Sequence, residues 1–419
     1  MDPLNWKIKD EPIIHSLLDM DMYKFTMGQL IYTLHPTVPV TSGFINRTKT
    51  VNLTKHISKE ELKEQLDYAR SSKYLKSELH YLRGTNEYQE RMFSEDYLHF
   101  LSVYQLPEYD LSYHSGKLKL NFSGEWTKQT YWETIALSIV TELYTRSQVK
   151  KFSQIQRDAM ISTGIQRLYE KIKKLKKYPE ITFSDFATRR RAFRQWHEYV
   201  VNIVRDELPD QFIGTSNVKI AMDQNLLPMG TNAHEMYMVY SRLFGNSREA
   251  IRYSVQRLGI DWWNQYDWGL SISLTDTFGS DSFFRDFSFE SALRSKGFRH
   301  DSGDPIVFGE KVIAFYKKLG INPKDKMIIF SDGLDVDTII KIYLHFRGRI
   351  KVTFGWGTNL GNDLDLFVLS LVVKVLMANG RPTVKLSDNL SKGLGPIKEQ
   401  NRFKKIFDYQ TKFFEACKY

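Results

Sequence analysis

From about residue 145 onward, short apolar runs alternate with longer stretches of helical periodicity. That alternation restricts the chain to parallel-sheet architectures. The runs are Val218-Lys-Ile-Ala, Gly269-Leu-Ser-Ile-Ser-Leu, Lys326-Met-Ile-Ile-Phe330 and Arg349-Ile-Lys-Val-Thr-Phe354, and between the last two lies the amphipathic helix pattern Asp335-Val-Asp-Thr-Ile-Ile-Lys-Ile-Tyr-Leu. Their spacing is that of βα units with right-handed crossovers. Polar and glycine-rich residues follow at once: Thr275-Asp276, Ser331-Asp332-Gly333 and Gly355-Trp-Gly357-Thr358. In α/β barrels and open sheets alike, ligands collect at the carboxyl ends of strands, so the chemistry is expected there. The pattern predicts an α/β barrel, although an open sheet would give similar runs.

The preceding region reads differently. Ser58-Lys-Glu-Glu61 opens a helix with Leu62, Leu66 and Ala69 on one face, and Leu75, Leu79 and Leu82 form a second helical set. Leu118, Leu120 and Phe122 alternate with polar residues, and Val38-Pro-Val40 with Phe44 and Ile45 marks another strand. An antiparallel sheet with helices accounts for this part.

Length and composition exclude several classes. The 419 residues suggest two to three domains, and 42% hydrophobic with 26% charged residues excludes a mainly disordered chain. The single Cys417 cannot pair within the chain, which excludes a disulfide scaffold and fits a reducing compartment. The longest apolar stretch, Leu366 to Val373, is interrupted by Ser370 and stopped by Lys374, far short of the ~20 residues that cross a bilayer. The opening MDPLNWKIKDEP has no apolar core of a secretory signal. A cytoplasmic protein without membrane contact is the expectation. The net charge of +10 attracts polyanions, either nucleic acid or small phosphorylated substrates. No RNA-recognition motif is present, so nucleic acid is not the expected partner. The lysines of the run Lys171 to Tyr178 are expected to be solvated at a helix end before Pro179.

Five segments carry candidate chemistry. In Arg299-His-Asp301-Ser-Gly-Asp304-Pro, two carboxylates three residues apart could hold sugar hydroxyls or hydrated Mg²⁺, and Arg299 offers a bidentate anion donor; an Asp capping the next helix is the plainer alternative. In Phe330-Ser-Asp332-Gly-Leu-Asp335, Asp332 suits ribose hydroxyls, whereas Asp335 could serve as a helix cap. Gly355-Trp-Gly357-Thr358 lets backbone N–H groups approach a phosphate, but lacks the lysine of a Walker loop. In Gly230-Thr231-Asn-Ala-His234-Glu235, a histidine opens a helix, where an imidazole could act as a base or be phosphorylated. In Phe186-Ala-Thr-Arg189-Arg190-Arg191, one or two arginines are expected to meet an anion and the rest to be solvated. Together these describe a site for a phosphorylated ribose with magnesium.

The ordered set also resembles the nicotinate phosphoribosyltransferase family over nearly the whole chain. Added to it are Leu17-Leu-Asp19-Met-Asp21-Met-Tyr23-Lys-Phe-Thr-Met27, similar to that family's opening signature, and Val384-Lys385-Leu-Ser387-Asp388. The resemblance implies an irregular α/β barrel over 145–382 plus an open-faced α+β sandwich domain over 1–144, completed by the tail 383–419. It implies conversion of nicotinate and 5-phosphoribosyl 1-diphosphate to nicotinate mononucleotide and diphosphate in NAD salvage. ATP would be a co-substrate, coupled through a phosphohistidine, with Mg²⁺. Members are commonly homodimers, although a monomer is compatible with this sequence. By position, His234 matches the phosphorylated histidine, and Tyr23 would stack on the pyridine ring. Thr231, Arg189 and Arg299 would line the nicotinate and ribose-phosphate pocket; which arginine meets which anion stays open. Asp301 and Asp332 would hold ribose hydroxyls with Asp304 nearby. Gly357 and Thr358 would receive the 5-phosphate, and Asp276 is a weaker suggestion for magnesium or diphosphate. The tail from Lys392 to Arg402 matches loosely and receives no role. A nicotinamide or quinolinate phosphoribosyltransferase of the same fold is the nearest rival.

Overall fold

The computed structural model describes residues 11–416; Cys417 and most of the N-terminal opening segment lie outside them. The chain first builds β1 (Pro39–Asn46), β2 (Tyr109–His114) and β3 (Lys117–Glu125). It then lays down β4 (Phe183–Asp185), β5 (Phe212–Thr215), β6 (Leu227–Pro228), β7 (Ile272–Leu274), β8 (Gly297–His300), β9 (Met327–Phe330) and β10 (Lys351–Trp356). It returns through β11 (Leu371–Ala378) and β12 (Arg381–Pro382). The first and last groups form one antiparallel sheet in the order β12-β11-β1-β3-β2. The chain thus rejoins that sheet at Leu371, upstream of the boundary at 383 drawn from the sequence.

The middle group forms a parallel sheet in the order β6-β5-β4-β10-β9-β8-β7. Read as a circle, this is sequential order, β4 to β10 and back to β4. It is the order of an α/β barrel with one seam, between β6 and β7, where no ladder forms among the described residues. The outer faces are packed by helices: Phe298 of β8 lies against Phe283, Phe284, Phe287, Phe315 and Tyr316. The amphipathic pattern after Asp335 is the helix Val336–Phe346, with the Asp335 carboxylate accepting from the Thr338 N–H, which makes Asp335 a cap. Ser58 likewise caps the helix Lys59–Ser71, which buries Leu62, Leu66 and Ala69.

Several expectations need correction. Val218-Lys-Ile-Ala is not a strand but opens the helix Val218–Gln224, because Asn217 caps the Ile220 N–H and diverts the backbone; the strand is the preceding Phe212–Thr215. Leu75 is an exposed residue before the helix Lys76–Gly84, whose buried face holds Glu78 and Leu82. Lys171 is buried, not solvated, with its ammonium bound to the Asn359 carbonyl and, at 2.6 Å, to Asp363. Arg191 is fully buried too, clamped by both oxygens of Asp19 at 2.5 and 2.7 Å.

Candidate functional site

The seam between β6 and β7 is occupied by the segment that carries His234. Gly230 must be glycine, since a Cβ there would lie 2.7 Å from the Tyr23 backbone nitrogen. Thr26 Oγ1 donates to the Thr231 carbonyl at 2.5 Å, so the Tyr23 helix (Tyr23–Leu34) and the Thr231–His234 turn are fixed together. His234 then opens the helix His234–Tyr240, and Tyr237 bridges the seam by hydrogen bonds with Ser273 and the Leu274 backbone.

His234 is 3% exposed. Its Nε2 lies 2.9 Å from Asp301 Oδ2 and 3.5 Å from Asp276 Oδ1, and its Nδ1 lies 2.9 Å from Thr277 Oγ1. With two carboxylates on one side, the ring proton sits on Nε2, and Nδ1 accepts from the Thr277 hydroxyl. Burial lowers the imidazole to about 4 against the opposing pull of Asp276. Burial is the largest cause, and the Lys385 ammonium lowers it further. Asp276 Oδ2 accepts from Ser302 at 2.6 Å and Ser387 at 3.2 Å, with the Lys385 ammonium 3.6 Å away. Asp301 Oδ1 faces Ser331 at 3.4 Å and Arg299 at 3.6 Å. Both carboxyls are held below the usual range: burial opposes this, but the adjacent His234 and the lysines outweigh it.

Asp332 joins the group through Lys392. Its Nζ donates to Asp332 at 2.5 Å and to the Asp301 carbonyl at 2.7 Å. His234, Asp276, Asp301 and Asp332 are therefore linked at the ends of consecutive strands. Around them lie Lys385, Lys374, Arg47, Arg189 and Arg299. The Lys385 ammonium feels Asp276, Asp301, Lys392 and Arg47, while Lys374 feels Glu133, Lys385, Arg189 and Arg47. Arg47 follows β1 and Lys374 lies on β11, so the antiparallel sheet supplies two of these five cations. Burial lowers Lys385, and lowers Lys374 to about 8.

Arg189 owes its place to a buried anchor. Asp185 at the end of β4 accepts from the Ala187 N–H at 2.9 Å and Thr215 at 2.6 Å, and meets His197 at 2.7 Å. The turn so fixed aims Arg189 at Asp21, 3.3 Å away, with its guanidinium 6.0 Å from the Tyr23 ring centre. Tyr23 donates to Glu133 at 3.3 Å. Beneath it Lys24 is fully buried, 2.6 Å from both Glu133 and Glu235, and Trp126 and Thr130 complete the Glu235 shell at 2.7 and 2.8 Å.

Three expected residues stand apart. Asp304 is exposed and caps the helix Pro305–Lys318 by accepting from the Val307 N–H at 2.9 Å. Gly357 and Thr358 follow β10, two strands from Asp301, and among the described residues the Thr358 side chain makes no bond to the His234 group. A Cβ on Gly355 would strike the Phe186 ring at 2.3 Å, and one on Gly357 would lie 3.3 Å from the Phe186 carbonyl, so this turn approaches the Arg189 turn closely. Thr358 Oγ1 is buried without a hydrogen-bond partner, an open donor at a strand end. Sequence reasoning missed Lys374, Lys392, Arg47, Thr277, Glu133 and Lys24, and gave Lys385 no role.

Two sequence-family profiles match: the nicotinate phosphoribosyltransferase N-terminal domain over residues 18–141 and the nicotinate phosphoribosyltransferase family over 181–411, more than half of the chain. The fold is similar to a crystal structure of nicotinate phosphoribosyltransferase from Porphyromonas gingivalis (29% identity, 94% of this chain and 100% of that one, TM-score 0.86). It is similar to one from Vibrio cholerae at 28% identity, covering 98% of this chain and 96% of that one, with a TM-score of 0.85.

Proposed function

The chain belongs to the nicotinate phosphoribosyltransferase family, and we propose that it couples phosphoribosyl transfer to ATP through phosphorylation of His234. The transfer itself joins nicotinate to 5-phosphoribosyl 1-diphosphate, giving nicotinate mononucleotide and diphosphate in NAD salvage. As diphosphate leaves, the ribosyl carbon becomes cation-like, so the site must neutralise a polyanion and steady a positive ring. Lys374, Lys385, Lys392 and Arg47 answer the first need, Asp301 and Asp332 the second. The nicotinate nitrogen is nucleophilic as it stands, and Tyr23 with Arg189 would hold the ring and its carboxylate. Thr231 and Arg299 would complete that pocket, and Gly357 and Thr358 would take the 5-phosphate.

In the ATP step, Nδ1 of His234 attacks the γ-phosphorus, forming an N–P bond as the bond to ADP breaks. The Nε2 proton stays on the Asp301 side, so the phosphoimidazole keeps its carboxylate partner. The new charge competes with Asp276 and Asp301 for Lys385, Lys392 and Arg299. That competition changes what the cations can offer to the other anions, and only such a difference couples the two reactions. His234, Asp276 and Asp301 offer ligand atoms within 4.8 Å of one another, and Asp276 Oδ1 is a buried acceptor without a hydrogen bond. The two carboxylates therefore fit a hydrated Mg²⁺, which would supply charge neutralisation to the phosphates.

The single observation that carries the reading is His234 held between Thr277 and two carboxylates beside the lysine wall. The test is nicotinate mononucleotide formation with and without ATP, followed by assay for acid-labile phosphate on the protein. No ATP stimulation and no bound phosphate would reject the coupling. Turnover of nicotinamide or quinolinate above nicotinate would reject the acid specificity, and light scattering would test the homodimer. No described helix is long and apolar enough to cross a membrane.

A further inference from the structure

The loop that carries Lys392 is closed at its base and needs a hold at its tip. Across the base, the Lys385 N–H donates to the Leu394 carbonyl at 3.1 Å, and the reverse bond closes at 2.8 Å. Residues 386–393 therefore leave and return at one point, and whatever fixes the tip decides where Lys392 stands. On the inner side Ser302 Oγ accepts from the Asp388 N–H at 3.0 Å. On the outer side lies the irregular segment 409–415.

That segment grips the loop through its backbone. The Leu390 N–H donates to the Phe413 carbonyl at 3.0 Å. The Asn389 amide makes a two-point clasp on Glu415: Nδ2 donates to the Glu415 carbonyl at 2.9 Å, and Oδ1 accepts from the Glu415 N–H at 3.2 Å. The Ser391 hydroxyl donates to the same carbonyl at 2.7 Å. At the other end Tyr409 donates its hydroxyl to the Ser387 carbonyl at 2.6 Å. Its ring lies against Gly279, where a Cβ would sit 2.9 Å from it, at the end of the turn that carries Asp276 and Thr277. Under this cover Asn389 and Lys392 are buried, whereas Lys412, Phe413, Phe414 and Glu415 are exposed. A segment seated by a few backbone bonds with little apolar burial opens at low cost.

We propose that residues 409–415 are a releasable strap, which positions Lys392 for the diphosphate of 5-phosphoribosyl 1-diphosphate and seats more firmly when that substrate binds. The inference rests on the placing of Lys392 in the cationic wall. Lys392 reaches Asp332 and the Asp301 carbonyl from the tip of the loop, so a displaced tip withdraws the ammonium from both and from the anion it serves. By linkage, a substrate that holds Lys392 in place holds the strap by the same factor.

One backbone bond can be removed alone. Leu390 is the first residue of the 3-10 turn Leu390–Lys392, a position that suits proline, and its N–H is the one that meets Phe413. Leu390→Pro should release the strap and keep the turn; Leu390→Ala keeps the N–H and is the control. Steady-state kinetics should show the KM for 5-phosphoribosyl 1-diphosphate raised roughly tenfold in Leu390→Pro and unchanged in Leu390→Ala. Lys392→Met should raise it at least as much, and Leu390→Pro should add nothing in that background. Tyr409→Phe, which removes only the bond to Ser387, should act in the same direction and gives the test a second variant should Leu390→Pro not fold. In the unmodified chain the substrate should slow tryptic cleavage after Lys412 severalfold, and in Lys392→Met it should not. An unchanged KM in Lys392→Met overturns the placing of Lys392 in the wall. An impaired Lys392→Met beside normal Leu390→Pro and Tyr409→Phe overturns the strap, as do additive effects. Cleavage that the substrate does not slow overturns the linkage.

Discussion

Replacing Asp301 by asparagine tests the proposed phosphorylation of His234 and which of its nitrogens would attack. Asp301 Oδ2 holds Nε2 at 2.9 Å, while Oδ1 faces two donors, Ser331 at 3.4 Å and Arg299 at 3.6 Å. An amide oxygen will therefore turn toward those donors and leave the amide NH₂ facing Nε2. The imidazole must then accept at Nε2 and carry its proton on Nδ1, where no lone pair remains for attack. A hydrogen bond to a charged group is worth about 1.5–3 kcal/mol net. At 1.36 kcal/mol per decade this is roughly 10- to 150-fold in rate. The assay is single-turnover transfer of label from γ-labelled ATP to acid-labile protein phosphate, in the absence of the other substrates, so any ribose-binding role of Asp301 does not enter. A rate within about threefold of the unmodified protein would refute the argument. Thr277→Val carries the opposite expectation. It uncovers the Nδ1 lone pair without changing the tautomer, so phosphorylation should not fall; a large loss there would mean that Thr277 positions the ring rather than covering it.

The remaining expectations use other readouts. His234→Asn should lose ATP stimulation while keeping slow ATP-independent transfer, as read by product formation with and without ATP. Because His234 titrates at about 4 when folded against an ordinary 6.5, the unfolded chain takes up its proton first as pH falls. Stability should drop between pH 6.5 and 4, by about 3 kcal/mol from this group, and the drop should be missing from His234→Asn in urea unfolding. Lys374, lowered to about 8, loses its charge as pH rises through that value, so the KM for 5-phosphoribosyl 1-diphosphate should climb there and stay high but flat in Lys374→Met. Lys24→Met leaves Glu133 and Glu235 facing each other in the interior and should cost about 3–5 kcal/mol in a denaturant titration. Arg189→Ala should raise the KM for nicotinate, and an unchanged value would remove it from the pocket.

Of the parallel strands, β7, β9 and β10 were readable because their buried residues appear as short apolar runs, whereas β8 carries Arg299 and His300 and gives no such run. Val218-Lys-Ile-Ala failed the same test of appearance. It is an apolar run of equal length, but Asn217 makes it a helix, and that decision rests on a side chain outside the run. Asp335 and Asp304 show the converse: an Asp before a helix is ambiguous between cap and ligand until the helix direction is known.

Lysine is where sequence reasoning fails for a definite physical reason. A charged side chain is assigned to solvent by default, since burying it alone is costly. Yet Lys24, Lys171, Lys385 and Lys392 are all buried, each opposite an acid or carbonyl that lies on another element far along the chain. Lys392 meets Asp332 from 60 residues away, and Lys24 meets Glu235 from 211. No local spacing can announce such pairs. The wall of the site is therefore assembled by the meeting of two sheets: β7 to β9 deliver the carboxylates by βα repetition, and β1, β11 and the following tail deliver the cations. Lys385 and Lys392 meet Asp276 and Asp332, acids supplied by the parallel sheet, so the tail that carries these two lysines depends on the barrel, whereas Lys374 faces Glu133 from its own half of the molecule.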